Sequence, residues 1–379
     1  MKKIWIGISS IVVIVGLAVV LVVTQTKKGP EEIKIGFVNS LTGQYAPYGK
    51  NNWNGVNLAI EEINSAGGIM GKKVKIILED DRSTKEGAVD AVKKLIDIDK
   101  VPVIIGPGSS VGVMSAAPIA NKAKVVLLSP GAASPEITNA GDYIFRNRAS
   151  GTLEASKVAE YAYRKLQIKK VVVFFPNVDY GIGFKNVFVK KFTSMGGSIL
   201  SEETYAETDT DFRTQLAKIK QKKPEGVYVL GVPESIGQIL RQSKEMGLNV
   251  QFLSNNVESP KLLEIARGAA EGLIFPIPSY DFESPFPRIR DFEMKYYKKF
   301  GQHSDLFAAN GYDAVYIVKH AIETGGYNGE AIKNALHNLK NFQGVAGNIS
   351  FDEHGDVIMP LSVKEVKNGQ FIKLSQSLF

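Results

Sequence analysis

The sequence predicts an α/β protein of two Rossmann-like lobes, each built on a parallel sheet, joined by a three-strand hinge. Short β-branched runs alternate with amphipathic helical stretches, the signature of βαβ units. The alternation comes in two consecutive series of similar size. The elements after residue 272 are too few for a third domain, so they return to complete the two earlier sheets.

The first series has strand-like runs at residues 33–38, 74–79, 101–106, 124–129 and 143–147. Between them, residues 51–65 place Trp53, Val56, Ile60 and Ile63 on one helical face, and residues 90–98 repeat the pattern with Ala91, Val92, Leu95 and Ile98. The second series predicts strands at 170–175, 198–205, 226–231 and 250–254, and helices at 184–195, 212–221 and 235–246. Gly247 supplies the stop for the last of these. Then come a strand at 272–278, helical segments at 285–299, 308–324 and 330–339, and an alternating tail at 360–374 with an Asn368-Gly369 hairpin turn. The predicted division is 33–149 with 278–353 in the first lobe and 150–277 with 354–379 in the second. Three crossings make a hinge with a defined bending axis.

Residues 1–32 are read as an address rather than as fold. Lys2 and Lys3 precede an uncharged run from 4 to 23, long enough as a helix to cross a bilayer. The run ends without an A-x-A-like cleavage site, which favours an uncleaved anchor over a cleaved signal. Either reading places the remainder outside the cytoplasm, in the periplasm or on the cell surface. Residues 24–32 form a polar linker.

Composition removes several functions. The 379 residues include no cysteine, which excludes disulfides, thiolate catalysis, iron–sulfur clusters and Cys-ligated zinc. The formal charge is +7, but four of the 46 basic residues lie in the first 30, leaving 42 against 39 acids, or +3, over the rest. That balance gives no concentrated basic face for nucleic acid. His303, His320, His337 and His354 are spaced by 17, which fits no metal-ligand pattern, and no G-x-S-x-G elbow or convincing triad occurs. The expectation is a binding protein with no catalytic residues, metal or cofactor.

Site candidates lie at strand-to-helix turns. Residues 106–112 (GPGSSVG) follow a buried strand and open a helix. Glycines admit a ligand to the backbone, and the N–H and hydroxyl of Ser110 beside Ser109 suit a carboxylate. The same stretch also reads as an ordinary turn with a serine cap. Residues 129–135 (SPGAASP) follow the next strand, so both loops fall at the carboxyl ends of parallel strands, where open α/β sheets bind ligands. Tyr48 and Tyr180 stand beside glycines at similar turns, with Tyr45 in the same loop as Tyr48, and could cover a ligand. Asp80-Asp81 reads as a solvated helix-start pair, and Tyr312-Asp313 as packed helix with a local hydrogen bond.

At these loops the sequence resembles the type I periplasmic binding proteins, specifically the branched-chain amino-acid (leucine/isoleucine/valine) binding family of ABC importers. The resemblance spans about 33–375 and rests on residues 43–55 (GQYAPYGKNNWNG), 63–71 (INSAGGIMG), 79–81, 106–110, 129–138 (SPGAASPEIT), 179–183 (DYGIG) and 312–315 (YDAV). It implies capture of a small ligand between closing lobes and delivery to membrane permease subunits; a sensor of the same fold is the alternative. By resemblance, Ser110 holds the ligand carboxylate, the backbone at Gly131, Ala132 and Ala133 meets its polar end, and Tyr48 and Tyr180 close the cleft. Three departures from amino-acid binders stand out. Ala133 replaces a hydroxyl residue, Val232 replaces a cleft tyrosine, and Asn256 replaces the acid that pairs with the ammonium, with Glu258 two residues on. Burying an ammonium without that acid is costly, so an amide, or a carboxylate lacking the ammonium, becomes the expected ligand unless Glu258 supplies the acid.

Overall fold

The computed structural model describes residues 32–278 and 280–374. The predicted N-terminal anchor or signal lies outside them. Among the described residues no helix is long and apolar enough to cross a membrane.

The first sheet is wholly parallel. Its strands are β1 (Glu32–Asn39), β2 (Lys73–Asp80), β3 (Val103–Ile105), β4 (Val126–Ser129) and β5 (Ile144–Arg146), in the order β2-β1-β3-β4-β5. Both faces are buried, as a parallel sheet requires. Ile33, Ile35 and Phe37 pack on one side against α1 (Ala46–Ser65). Val38, Ile104 and Leu127 face the other way, toward α2 (Lys85–Asp97) and α3 (Ser110–Ala123).

The second sheet follows the same logic. Its parallel part comprises β6 (Lys170–Pro176), β7 (Ser198–Tyr205), β8 (Gly226–Val229), β9 (Gln251–Ser254) and β10 (Ile274–Pro278). Val171, Val173 and Phe175 bury one face against α4 (Gly151–Glu160) and α5 (Asp179–Ser194). Val172, Phe174, Val227 and Val229 bury the other against α6 (Arg213–Lys222), α7 (Pro233–Glu245) and α8 (Pro260–Ala266).

The chain then returns to the first sheet. Helix α9 (Pro287–Phe300) leads to α10 (Leu306–Gly325), which lies along α1, with α11 (Gly329–His337) beside it. Gly55 makes the α1–α10 approach possible: a Cβ there would sit 1.9 Å from the Ala308 carbonyl oxygen. A short ribbon, β11 (Phe342–Gln343) with β12 (Asn348–Ile349), follows. Finally β13 (Leu361–Lys367) and β14 (Gln370–Lys373) add an antiparallel hairpin to the β10 edge of the second sheet. Its two-residue turn is Asn368-Gly369, with φ of 54° and 69°, the left-handed pair that such a turn demands.

The chain thus passes between sheets three times, after β5, after β10 and before β13. The last passage falls later than expected. Asp356 still bridges Arg146, and Val357 lies in the first lobe's core, so residues 354–357 sit with the first lobe. The cause is an ion pair that sequence spacing does not reveal. Arg146 is fully buried; its Nε and Nη2 donate to the two Asp356 carboxylate oxygens at 2.5 and 2.8 Å.

Two acidic motifs behave differently from their sequence reading. Asp81 is buried, not solvated, and accepts from Ser40 Oγ at 2.6 Å and Ser83 N at 2.9 Å. Asp80 accepts from the backbone N–H of Leu41 and Arg82 and from Thr42 Oγ1. Together they tie the β1–α1 loop to the end of β2. Asp313 also reaches far from its helix, accepting from Val345 N and Ala346 N, both at 2.8 Å. Tyr312 Oη donates to Glu62 on α1 at 2.5 Å.

Burial pushes the Asp313 carboxyl up from 3.8 to about 7, against the pull of those two N–H donors. A raised folded pKa means that the folded state holds the extra proton. The stability contributed is therefore full below 3.8 and lost as pH rises through about 7. We expect thermal melts across this window to show that loss in the natural chain and a flatter profile in Asp313→Asn. Parallel profiles would remove Asp313 as the cause.

Candidate functional site: the cleft between the lobes

The carboxyl ends of both parallel sheets open onto one cleft of about 1910 Å³. Small-ligand sites usually occupy roughly 300–1,000 Å³, so one small solute would fill only part of it. The first-lobe residues expected at the site, Tyr48, Ser109, Ser110, Gly131 and Ala133, line it. So do the second-lobe residues Tyr180, Val232, Asn256 and Glu258. Ala132 does not. It is 1% exposed and packs into the first lobe's core beneath the loop, because the β4–β5 connection turns its side chain toward Val38 and Leu127.

Ser109 and Ser110 divide their work. Ser109 caps α3, its Oγ accepting from Gly112 N at 3.1 Å. Ser110 Oγ accepts from Ala133 N at 3.2 Å and Ser134 N at 3.0 Å. With its lone pairs so engaged, the Ser110 hydroxyl proton remains as a donor toward the cleft. The same bonds engage the backbone of Ala133. Its N–H donates to Ser110, and its carbonyl accepts from Gly151 N at 2.7 Å while keeping a second lone pair. Gly108 and Gly131 are required by loop packing. A Cβ at 108 would lie 2.2 Å from Asn39 Oδ1, and one at 131 would lie 2.5 Å from the Gly108 carbonyl.

Across the cleft, Val232 precedes α7 and leaves Glu234 in its first turn. Glu258 does not offer a free acceptor. One oxygen accepts from Lys364 Nζ at 2.6 Å, and the other is occluded with no hydrogen-bond partner. Burial raises its pKa, against the attraction of Lys364. Asn256 accepts from Glu258 N through its Oδ1 at 3.3 Å, and its own N–H donates to Glu154 at 3.2 Å.

The mouth of the cleft is bridged. Tyr45 Oη donates to Glu207 at 2.5 Å, Gln44 Nε2 donates to the other Glu207 oxygen at 3.0 Å, and Tyr48 Oη donates to Glu234 at 3.1 Å. Burial, then the adjacent carboxylates, push both phenols above their ordinary value, so they stay protonated donors. Glu207 and Glu234 escaped the sequence reading because their partners lie 162 and 186 positions away. Arg148 escaped it too. It is 6% exposed, lines the cleft beside the first crossing, and pairs with fully buried Glu154.

Two α/β lobes, three crossings and one cleft bridged at its mouth define a two-lobed solute-binding protein. The sequence model of the periplasmic binding proteins matches residues 32–370, and the chain belongs to that family, in its type I, branched-chain amino-acid branch. The leucine-, isoleucine-, valine-, threonine- and alanine-binding protein of Pseudomonas aeruginosa is 28% identical over 330 residues, covering 86% of this chain and 87% of that protein. Among solved structures, the leucine-binding protein LivK of Thermotoga maritima aligns with a TM-score of 0.84 and 32% identity, covering 90% of this chain and 98% of that one. A solute-binding protein of an ABC transporter from Rhodopseudomonas palustris, solved with 3,4-dihydroxybenzoic acid, aligns at 0.82 with 28% identity over 91% and 97% of the two chains. These relatives are binding proteins, not enzymes.

Proposed function

We propose that this chain is an extracytoplasmic receptor that captures a small polar organic acid or amide and delivers it to an ABC permease, held at the membrane by residues 4–23. Among the described residues, the first lobe comprises 33–149 with 278 and 280–360, and the second comprises 150–277 with 361–374. The bridged mouth carries this reading, because bonds between Tyr45, Gln44 and Tyr48 on one lobe and Glu207 and Glu234 on the other exist only when the lobes are together. Ligand and mouth contacts then favour the same closed state. The named ligands of the relatives, branched-chain amino acids and an aromatic acid, support the size and chemical class.

The account predicts that removing the phenols of both tyrosines, as Tyr45→Phe with Tyr48→Phe, weakens binding without touching the ligand. Each hydrogen bond contributes about 0.5–1.5 kcal/mol, so the double variant should lose roughly 1–3 kcal/mol, mostly through faster release. Stopped-flow release kinetics read this directly. An unchanged release rate would mean that the mouth contacts do not favour closure.

A further inference from the structure

Arg148 takes no part in the bridged mouth. It follows β5, is 94% buried by the measure of its 6% exposure, and still lines the cleft. Its Nη1 donates to the Ala149 carbonyl at 2.8 Å and to Glu154. Among the described residues no protein group accepts from its Nε or Nη2, and neither atom is wholly occluded, so two guanidinium nitrogens are left open on a side chain that lines the cleft. Glu154 is fully spent, one oxygen on Arg148 and the other on Asn256 N. The Asn256 side-chain amide is fixed by the Glu258 N–H on its Oδ1, which leaves its NH2 without a protein acceptor. Glu258 itself is held by Lys364, its second oxygen occluded.

This corner of the cleft therefore presents N–H donors and no free acceptor. An ammonium here would face a guanidinium and find no carboxylate oxygen available to it. A carbonyl or carboxylate would meet a planar fork suited to it. We infer that Arg148 and Asn256 form a donor-only subsite, and that the ligand is a carboxylic acid bearing a second hydrogen-bond acceptor and no ammonium. The smallest members of this class are 2-oxo acids and short dicarboxylates. The inference rests on the receptor reading, with Ser110 taking the first carboxylate.

Calorimetry with matched pairs tests it: 4-methyl-2-oxopentanoate against leucine, and glutarate against glutamate. The natural chain should bind at least one acceptor acid about 10-fold or more tighter than its amino counterpart. Arg148→Lys keeps a cation for Glu154 but lacks the fork, and should lose about 10–100-fold for that acid. Asn256→Asp, at a half-buried position whose own side chain belongs to no ion pair, should narrow or invert the preference; it keeps the test open if Arg148→Lys fails to fold. Tighter binding of leucine or glutamate in the natural chain overturns the inference and leaves the receptor reading standing. The same holds if an amide binds and none of the four acids does. Absence of binding by these and by every other small solute overturns both.

Discussion

Arg146→Ala should cost the fold about 3–5 kcal/mol, the usual penalty for leaving one member of a buried ion pair alone. Arg146 is fully buried and spends its donors on four bonds: two to Asp356, one to the Ser134 carbonyl at 2.7 Å and one to Thr138 Oγ1 at 2.9 Å. Thr138 in turn donates to Asp356 at 2.7 Å. The network joins the end of β5, the loop after β4 and the segment that leads into the last crossing. Its loss strands a nearly buried carboxylate where two crossings meet. Urea unfolding would measure the change. Removing both charges as Arg146→Met with Asp356→Leu should recover most of it, because the cost comes from the orphaned charge rather than from the pair. A loss below about 1 kcal/mol in Arg146→Ala would show that the site is open to water.

Ser110→Ala should weaken ligand binding by about 1–3 kcal/mol, roughly 5–150-fold. The substitution removes the donor that the proposed carboxylate would use and leaves the Ala133 and Ser134 N–H groups without their acceptor. Ser109→Ala is the control. It removes the α3 cap and should cost about 1 kcal/mol of stability, with a much smaller effect on affinity. Calorimetry and thermal melts on the two variants separate these roles. Equal affinities for Ser110→Ala and the natural chain would displace the ligand from this loop.

The elements were legible because their causes are local. Strand runs such as 170–175 are β-branched and apolar on both faces, as a covered parallel sheet requires, and Asn368-Gly369 announces its own turn. The loops at 108–110 and 131–133 were legible by position at strand ends, though their glycines are needed as much by loop packing as by a ligand. What failed depends on partners distant in sequence. Asp81 read as solvated because Ser40 lies 41 residues away. The extent of the first lobe was short by a few residues because Asp356 answers to Arg146, 210 positions earlier. Arg148 stands beside Arg146 in an R-N-R stretch, and a second cation so close to a predicted crossing was the one available signal.

If the cleft binds a small solute and binding holds the lobes together, the solute must stabilise the folded chain. A thermal-shift screen of the chain from Glu31 onward tests it most directly, with branched-chain and acidic amino acids, 2-oxo acids, short dicarboxylates, amides, urea and aromatic carboxylates. A solute present at 100 times its Kd adds about 2.7 kcal/mol to stability, which raises the melting temperature by several degrees. Such a rise is expected for at least one carboxylate or amide, reduced in Ser110→Ala at the same concentration. A flat response to every solute at millimolar concentration would contradict it.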